Sequence, residues 1–253
     1  MTRAFPIMLA LLLGFFSSHS QERRGTYFGV QFKPMISGSL INEGVPSGTE
    51  NGINFEVTKQ FGFSAGMVIR HDFTKMFSVE SGISFVQRNQ NYHVYDPVRD
   101  YTFDQEFGTV GYEIPLLGLV YIQLSDQVFM NTSFGVSFDM YPSDIKVESD
   151  DDRVNMIGQR AGWILPALSA NIGWEWRTKE NGSFYIGGTY HRSFGDTYEF
   201  IAEYDYNRLD TASVVTPMYL TTNGNYLTLD FRYFFHEDPE KKQLRKDKSR
   251  RRR

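Results

Sequence analysis

Apolar and polar residues alternate in eight short stretches of the chain, and a period of two predicts a β-strand with one apolar and one polar face. The clearest stretch spans residues 77–88. Phe77, Val79, Ile83 and Phe85 share one face, and Ser78, Glu80, Ser84 and Arg88 share the other. The remaining seven fall at 27–35, 61–70, 112–122, 128–139, 168–176, 184–191 and 227–235. The fourth alternates less cleanly, because Leu117 and Leu119 fall on the same face as Glu113 and Tyr121.

Alternation alone fits a sheet packed on a core or a barrel facing lipid, and the connections separate the two. Short polar turns at 72–75, 124–127 and 177–182 alternate with long connections at 37–54, 91–105, 141–160 and 194–223. Short turns on one side and long loops on the other are the organisation of an outer-membrane barrel. An even number of strands also closes a ring without exposed edges. The expected fold is therefore all-β: an eight-stranded antiparallel up-and-down transmembrane β-barrel over residues 21–235, with short periplasmic turns and long extracellular loops. The fold-level alternative is a soluble secreted β-sandwich.

The N-terminus agrees with export to the outer membrane. Arg3, an apolar run at 7–16 and small residues at Ser17, Ser18 and Ser20 predict a signal peptide over 1–20, cleaved after Ser20. The apolar run is too short for a spanning helix, which needs about 20 residues. There is no cysteine, hence no disulfide framework and no lipid-modified N-terminus. With 15 Tyr and 22 Phe, aromatic residues reach 16% of the chain. On the predicted topology Phe77, Trp174, Trp176, Phe184, Tyr233 and Phe235 all fall at the periplasmic rim, as an aromatic girdle.

Charge is divided along the chain. The net charge of −4 conceals a basic tail, residues 236–253, containing Lys241, Lys242, Arg245, Lys246, Lys248, Arg250, Arg251, Arg252 and Arg253. Such a tail has too few apolar residues to build a core and is expected to be disordered in the periplasm, attracted to anionic headgroups or an acidic partner. The acidic body and the segregated tail do not suggest a nucleic-acid-binding surface.

The segment 77–88, followed by Tyr112-Glu113-Ile114-Pro115-Leu116-Leu117, resembles the PorT-like outer-membrane β-barrel proteins of Bacteroidetes. In that family a strand of the first type precedes a strand of the form Y-x-E-I-P-L-L; here the Tyr directly precedes Glu113. The resemblance implies an exported eight-stranded barrel and, from the name-giving member, assistance to protein secretion. The basic tail departs from the family pattern, which ends at the last aromatic strand.

Lys33, Arg70, Glu80, Arg88, Glu113, Asp139, Glu175, His191, Asp230 and Arg232 all face inward by parity. In a lumen this narrow, such groups are expected to pair as a structural ionic network. Arg70, Glu80, Arg88 and Glu113 should meet, and Asp230 and Arg232 should approach Lys33. No catalytic, cofactor or metal site is expected. His71 and His93 lack a nucleophile or metal partner, and the acidic run 148–152 does not follow the spacing of a calcium loop. The Tyr-rich loops read either as recognition surfaces or as a cap packed on itself. These residues point to a non-enzymatic envelope scaffold or interaction component in contact with outer-membrane lipid and with envelope or secretion proteins. The alternatives are a small pore or ligand-binding barrel, or an outer-membrane enzyme acting at the loops.

Overall fold

The computed structural model describes residues 25–36, 46–178, 181–205 and 215–236. The predicted signal peptide and the basic tail beyond His236 lie outside them. The described residues form fourteen strands: β1 (Gly25–Ile36), β2 (Ser47–Glu50), β3 (Ile53–Lys59), β4 (Gly62–Asp72), β5 (Phe77–Asp96), β6 (Tyr101–Gln123), β7 (Val128–Met140), β8 (Ile145–Glu148), β9 (Val154–Arg160), β10 (Ile164–Arg177), β11 (Ser183–Ser193), β12 (Asp196–Asp205), β13 (Val215–Asn223) and β14 (Tyr226–Phe234).

Eight of them close a ring. β1 pairs with β4, then β5, β6, β7, β10, β11 and β14 follow in order, and β14 returns to β1. Every pairing is antiparallel, so the ring is an up-and-down barrel with no edge. The eight predicted strands are these eight, and their faces follow the parity read from the sequence. Phe28, Val30 and Phe32 are exposed while Gln31 and Lys33 are buried; Phe134 and Phe138 are exposed while Ser133, Ser137 and Asp139 are buried. Leu117 and Leu119, which blurred the alternation, point inward and pack with Tyr121 and Phe129.

The long connections differ from their expectation as loops. The predicted loop at 91–105 is a continuation of the β5–β6 hairpin, whose ladder runs on to Asp96↔Tyr101. β5 has 20 residues and β6 has 23, well beyond the roughly 10 that cross a bilayer. The other three connections contain β2, β3, β8, β9, β12 and β13. Together with the upper parts of β5 and β6, these strands stack a second eight-membered arrangement on the barrel. Around it the order is β2, β3, β5, β6, then β8, β9, β12, β13, the order of the barrel strands from which each one continues. The ladder is interrupted at two seams, β6/β8 and β13/β2.

The polarity of the wall inverts between the two storeys without any slip in parity. Along β5 the inward residues change from Ser78, Glu80 and Ser84 to Tyr92 and Val94. The outward ones change from Ile83 and Phe85 to Asn91 and His93. The lower storey is thus apolar outside and polar inside, and the upper storey is the reverse. Phe55, Tyr92, Met156, Tyr198, Phe200 and Tyr204 are among the fully buried side chains of one apolar core in the upper storey. Within the described residues the Tyr-rich connections therefore form a cap packed on itself around Tyr92, Tyr198 and Tyr204, while Tyr219 stays exposed.

Candidate functional site: a plugged lumen above an open cup

The lower lumen is filled by a charge cluster that the register creates. Arg70 and Glu80 stand directly opposite on β4 and β5, and two guanidinium nitrogens donate to Glu80 Oε2 at 2.7 and 3.1 Å. A third, Nη1, donates across the lumen to Glu175 Oε2 at 2.5 Å. Glu175 also accepts from Arg177 at 2.6 Å and from the Tyr121 hydroxyl at 3.3 Å. Arg232 bridges Glu80 and Asp230, the latter at 2.7 Å. Asp230 further accepts from Thr228 and Thr189, both at 2.6 Å, and from Asn171 at 3.0 Å. Tyr185 reaches Asn171 Oδ1 at 2.5 Å by lying over Gly187 and Gly173; a Cβ at Gly187 would stand 2.1 Å from its hydroxyl.

A second cluster fills the upper lumen. His191 is fully buried and lies flat on Tyr226, with ring centroids 4.3 Å apart. Its Nε2 is 2.9 Å from Asp139 Oδ2 and its Nδ1 is 3.0 Å from Ser169 Oγ. Arg88 approaches Asp139 at 3.4 Å, and the Tyr226 hydroxyl donates to Glu113 at 2.7 Å. Lys33 lies between the clusters, within electrostatic reach of Glu80, Glu113 and Asp230.

Of the four residues expected to meet, Arg70 pairs with Glu80 in the lower cluster, whereas Arg88 and Glu113 sit in the upper one. Of Asp230 and Arg232, Asp230 lies within electrostatic reach of Lys33, whereas Arg232 stands opposite Gln31. His191 touches Asp139 and Ser169. Asp72, Ser169, Asn171, Arg177, Tyr185 and Tyr226 belong to the lumen but were not singled out. All have the inward parity of their strands: Ser169, Asn171 and Tyr185 lie within the predicted stretches, and carrying the alternation one or two residues further reaches Asp72, Arg177 and Tyr226.

Ser169, His191 and Asp139 reproduce the order of contacts in a nucleophilic triad, but Ser169 is only 1% exposed. A triad needs its hydroxyl beside a reacting carbonyl and an oxyanion site; here the hydroxyl faces packed side chains. Among the described residues no group of three His, Asp or Glu side chains could hold a metal. The acidic run forms the β8–β9 turn, where Asp151 accepts from Ser149 Oγ at 2.6 Å and from the Arg153 backbone at 3.2 Å.

Beneath the lower cluster, at the short-turn end, opens a cup of about 960 Å³. Arg70 and Glu175 form its floor, and Tyr27, Tyr121, Phe129 and Phe234 its walls. Arg177 is held on the rings of Phe129 and Tyr121, at 4.2 and 4.6 Å. Above the upper cluster, a cavity of about 30 Å³ separates lumen and cap. Arg88 Nε and Gln90 Oε1, on two of its lining residues, have no protein partner, and the space suits a water or two.

The six aromatics of the predicted lower girdle lie around the short-turn rim. Trp176 is opposite Phe184, and Phe184 is opposite Tyr233, whose ring lies 5.0 Å away. Tyr233 in turn meets Phe235 at 5.3 Å. A second row, not anticipated from the sequence, lies where the wall changes polarity. It runs from Phe32 through Phe63 and Phe85 to Tyr112, with successive rings 5.9, 6.1 and 6.2 Å apart.

No family model and no curated protein matches the chain. Among solved structures, the outer membrane protein OprG from Pseudomonas aeruginosa is similar over 87% of this chain and 100% of its own, with a TM-score of 0.53 and 13% identity. The outer membrane protease OmpT from Escherichia coli aligns over 87% of this chain and 99% of its own at 10% identity and a TM-score of 0.33. The translocator domain of the autotransporter NalP from Neisseria meningitidis aligns over 91% and 94% at 11% identity and a TM-score of 0.31. The last two scores are too low to argue a shared fold. The likeness to OprG is one of fold alone: this chain is built like an outer-membrane β-barrel.

Proposed function

We propose that the protein is a non-enzymatic outer-membrane barrel that serves as a scaffold or interaction component of the envelope. The observation that carries this reading is the inverted polarity of the two storeys. A wall that is apolar outside below and polar outside above suits a protein whose lower storey stands in lipid and whose upper storey stands in water. On β6 the lipid-facing stretch from Tyr112 to Ile122 spans ten residue steps; at about 3.3 Å per step and a tilt near 40° it is roughly 25 Å tall, the height of an outer-membrane apolar band. The two aromatic rows at its ends fit the two headgroup regions.

The short turns and the cup then face the periplasm, and the cap faces outward. Both charge clusters occlude the lumen, and the cap core lies over it, which argues against an open pore. The rigid, water-exposed cap offers the surface through which partners would be met. The motifs at 77–88 and 112–117 favour a PorT-like role in assisting secretion as the finer form of this proposal, and an envelope partner for the basic tail belongs with it.

Planar-bilayer recording tests the occluded lumen: the purified protein should show no stable conductance at neutral pH. Site-specific crosslinking from the cap in intact cells, followed by identification of what is captured, tests the interaction role. Stable channels, or a cap that captures no envelope protein, would overturn the respective half of the proposal.

A further inference from the structure

The upper storey is not closed all round, and its two seams differ. At β13/β2, side chains seal the join: Asn51 Nδ2 donates to Thr216 Oγ1 at 3.4 Å, and the Met218 side chain lies against Gly48. At β6/β8, the lower end is tied by the ladder pair Tyr112↔Met140, and the outer end by the Tyr101 hydroxyl, 3.3 Å from Asp151. Between those ties, among the described residues, 102–111 of β6 form a ladder with β5 only, and β8 forms one with β9 only. Two strand edges therefore face each other across a slit without pairing. Behind the slit stand Phe103, Phe107 and Ile145, side chains of the cap core that remain only partly buried.

Unpaired edges of this length are avoided in most proteins, because they template the addition of another strand. Here the edge lies beside incompletely covered apolar side chains, the two features that strand addition satisfies together: main-chain hydrogen bonds for affinity and alternate side chains for specificity. The surroundings set the character of the strand. The described cap segments 46–60, 89–110, 141–162, 194–205 and 215–225 carry 15 Asp and Glu against five Lys and Arg. Asp104 and Glu106 stand on the outward face of β6, and Glu148, Asp150 and Asp151 at and beyond the end of β8.

We infer that the β6/β8 slit is a docking site for an extended, basic segment of a partner protein, which adds as a strand to β6 with alternate apolar side chains covering Phe103 and Phe107. The basic tail of this same chain is not the occupant, since the proposed topology leaves it on the opposite side of the membrane. The inference deepens the interaction role proposed above and rests on it.

The test uses the full chain in lipid nanodiscs and a synthetic peptide of alternating Lys and Val, with a second peptide of the same charge carrying a central Pro. The alternating peptide should slow amide hydrogen exchange across 102–111, and the Pro peptide, which cannot complete the ladder, should not. D104K combined with E106K should weaken binding several-fold. Equal protection by both peptides, protection elsewhere in the cap, no protection at all, or unchanged affinity of the charge-reversed variant would each overturn it. A barrel that fails this test but remains non-conducting and still captures an envelope protein loses the docking site and keeps the proposed function.

Discussion

At the scale of single residues, parity decides whether a charge is tolerated. Ile83, Phe134, Ile172 and Leu229 are 42, 63, 56 and 41% exposed on the outer wall of the lower storey, whereas Ser137 and Thr228 are buried in the lumen. Arg at any of the four outward sites is expected to lower stability in lipid by about 2–4 kcal/mol, depending on depth. Urea unfolding in vesicles measures this. A lipid-soluble maleimide should label single cysteines at the same four sites and spare Ser137. Inward, Arg70 joins Glu80 to Glu175. Arg70→Met leaves both acids short of a partner and should cost roughly 3–5 kcal/mol if the cluster is dry. Glu113→Gln, which keeps a hydrogen-bond acceptor for Tyr226, should cost less. Equal unfolding midpoints and unchanged heat-modifiable gel mobility for Arg70→Met and the parent would mean that the pairing does not support the fold.

At the scale of elements, the β5–β6 hairpin carries the barrel wall up into the cap, and its tip is tied by one carboxylate. Asp96 accepts from the Val98 backbone and Arg99 Nη1, both at 2.9 Å, and from the Arg99 backbone at 3.3 Å. Burial pushes its carboxyl up, but the Arg99 guanidinium and the two backbone N–H groups outweigh that and hold it below the ordinary value. A depressed carboxylate stabilises the folded state at pH above its unfolded value, about 3.9, and that contribution is lost as the pH falls through the lower, folded value. The parent hairpin tip should therefore become more susceptible to an acid protease between about pH 5 and about pH 3. Asp96→Asn should be susceptible throughout and lose the pH dependence. Deeper in the cap, Phe200 packs on Phe107 and Tyr198 with ring centroids 5.9 and 6.1 Å apart. Phe200→Ala should cost roughly 3–5 kcal/mol, and it should loosen the cap while leaving the closed lower ring intact. Limited proteolysis beside gel mobility separates the two effects.

Element by element, legibility followed the environment of each strand. The eight wall strands could be read because water-like and lipid-like neighbours alternate residue by residue along them. The cap strands obey the same period: Ile53, Phe55 and Val57, or Tyr198, Phe200, Ala202 and Tyr204, are plain alternations in retrospect. In the sequence they read as loops because most of them are short and their outward faces hold Asn, Glu and Asp, residues that also fill loops. In the lumen, parity identified which charges turn inward, but their grouping into two clusters depends on register. One residue of slip on β4 would remove Arg70 from opposite Glu80, and sequence spacing does not set that slip.

At the scale of the whole molecule, the topology makes a prediction that the absence of native cysteine renders simple to test. Tyr219 on β13 is 73% exposed on the cap, and Gln127 lines the cup in the β6–β7 turn. Tyr219→Cys should react with a membrane-impermeant maleimide on intact cells, and Gln127→Cys only after the outer membrane is opened. The reverse pattern would turn the molecule over and would move the cup, the cap and the slit to the opposite compartments, against the proposed function.

The sequence by itself determined the eight wall strands, their faces, the short-turn side and the residues that turn inward. All of these follow from a period of two and from turn length, which are local properties. Only the tertiary structure decided that the long connections fold into a second storey with its own core, and that the lumen divides into two clusters. It alone brings Ser169, His191 and Asp139 together, and it alone leaves one seam open between β6 and β8. The physical reason is the same in each case: such features depend on which strand neighbours which and at what register. That is fixed when the ring closes, through contacts between residues as far apart as Gly29 on β1 and Phe234 on β14.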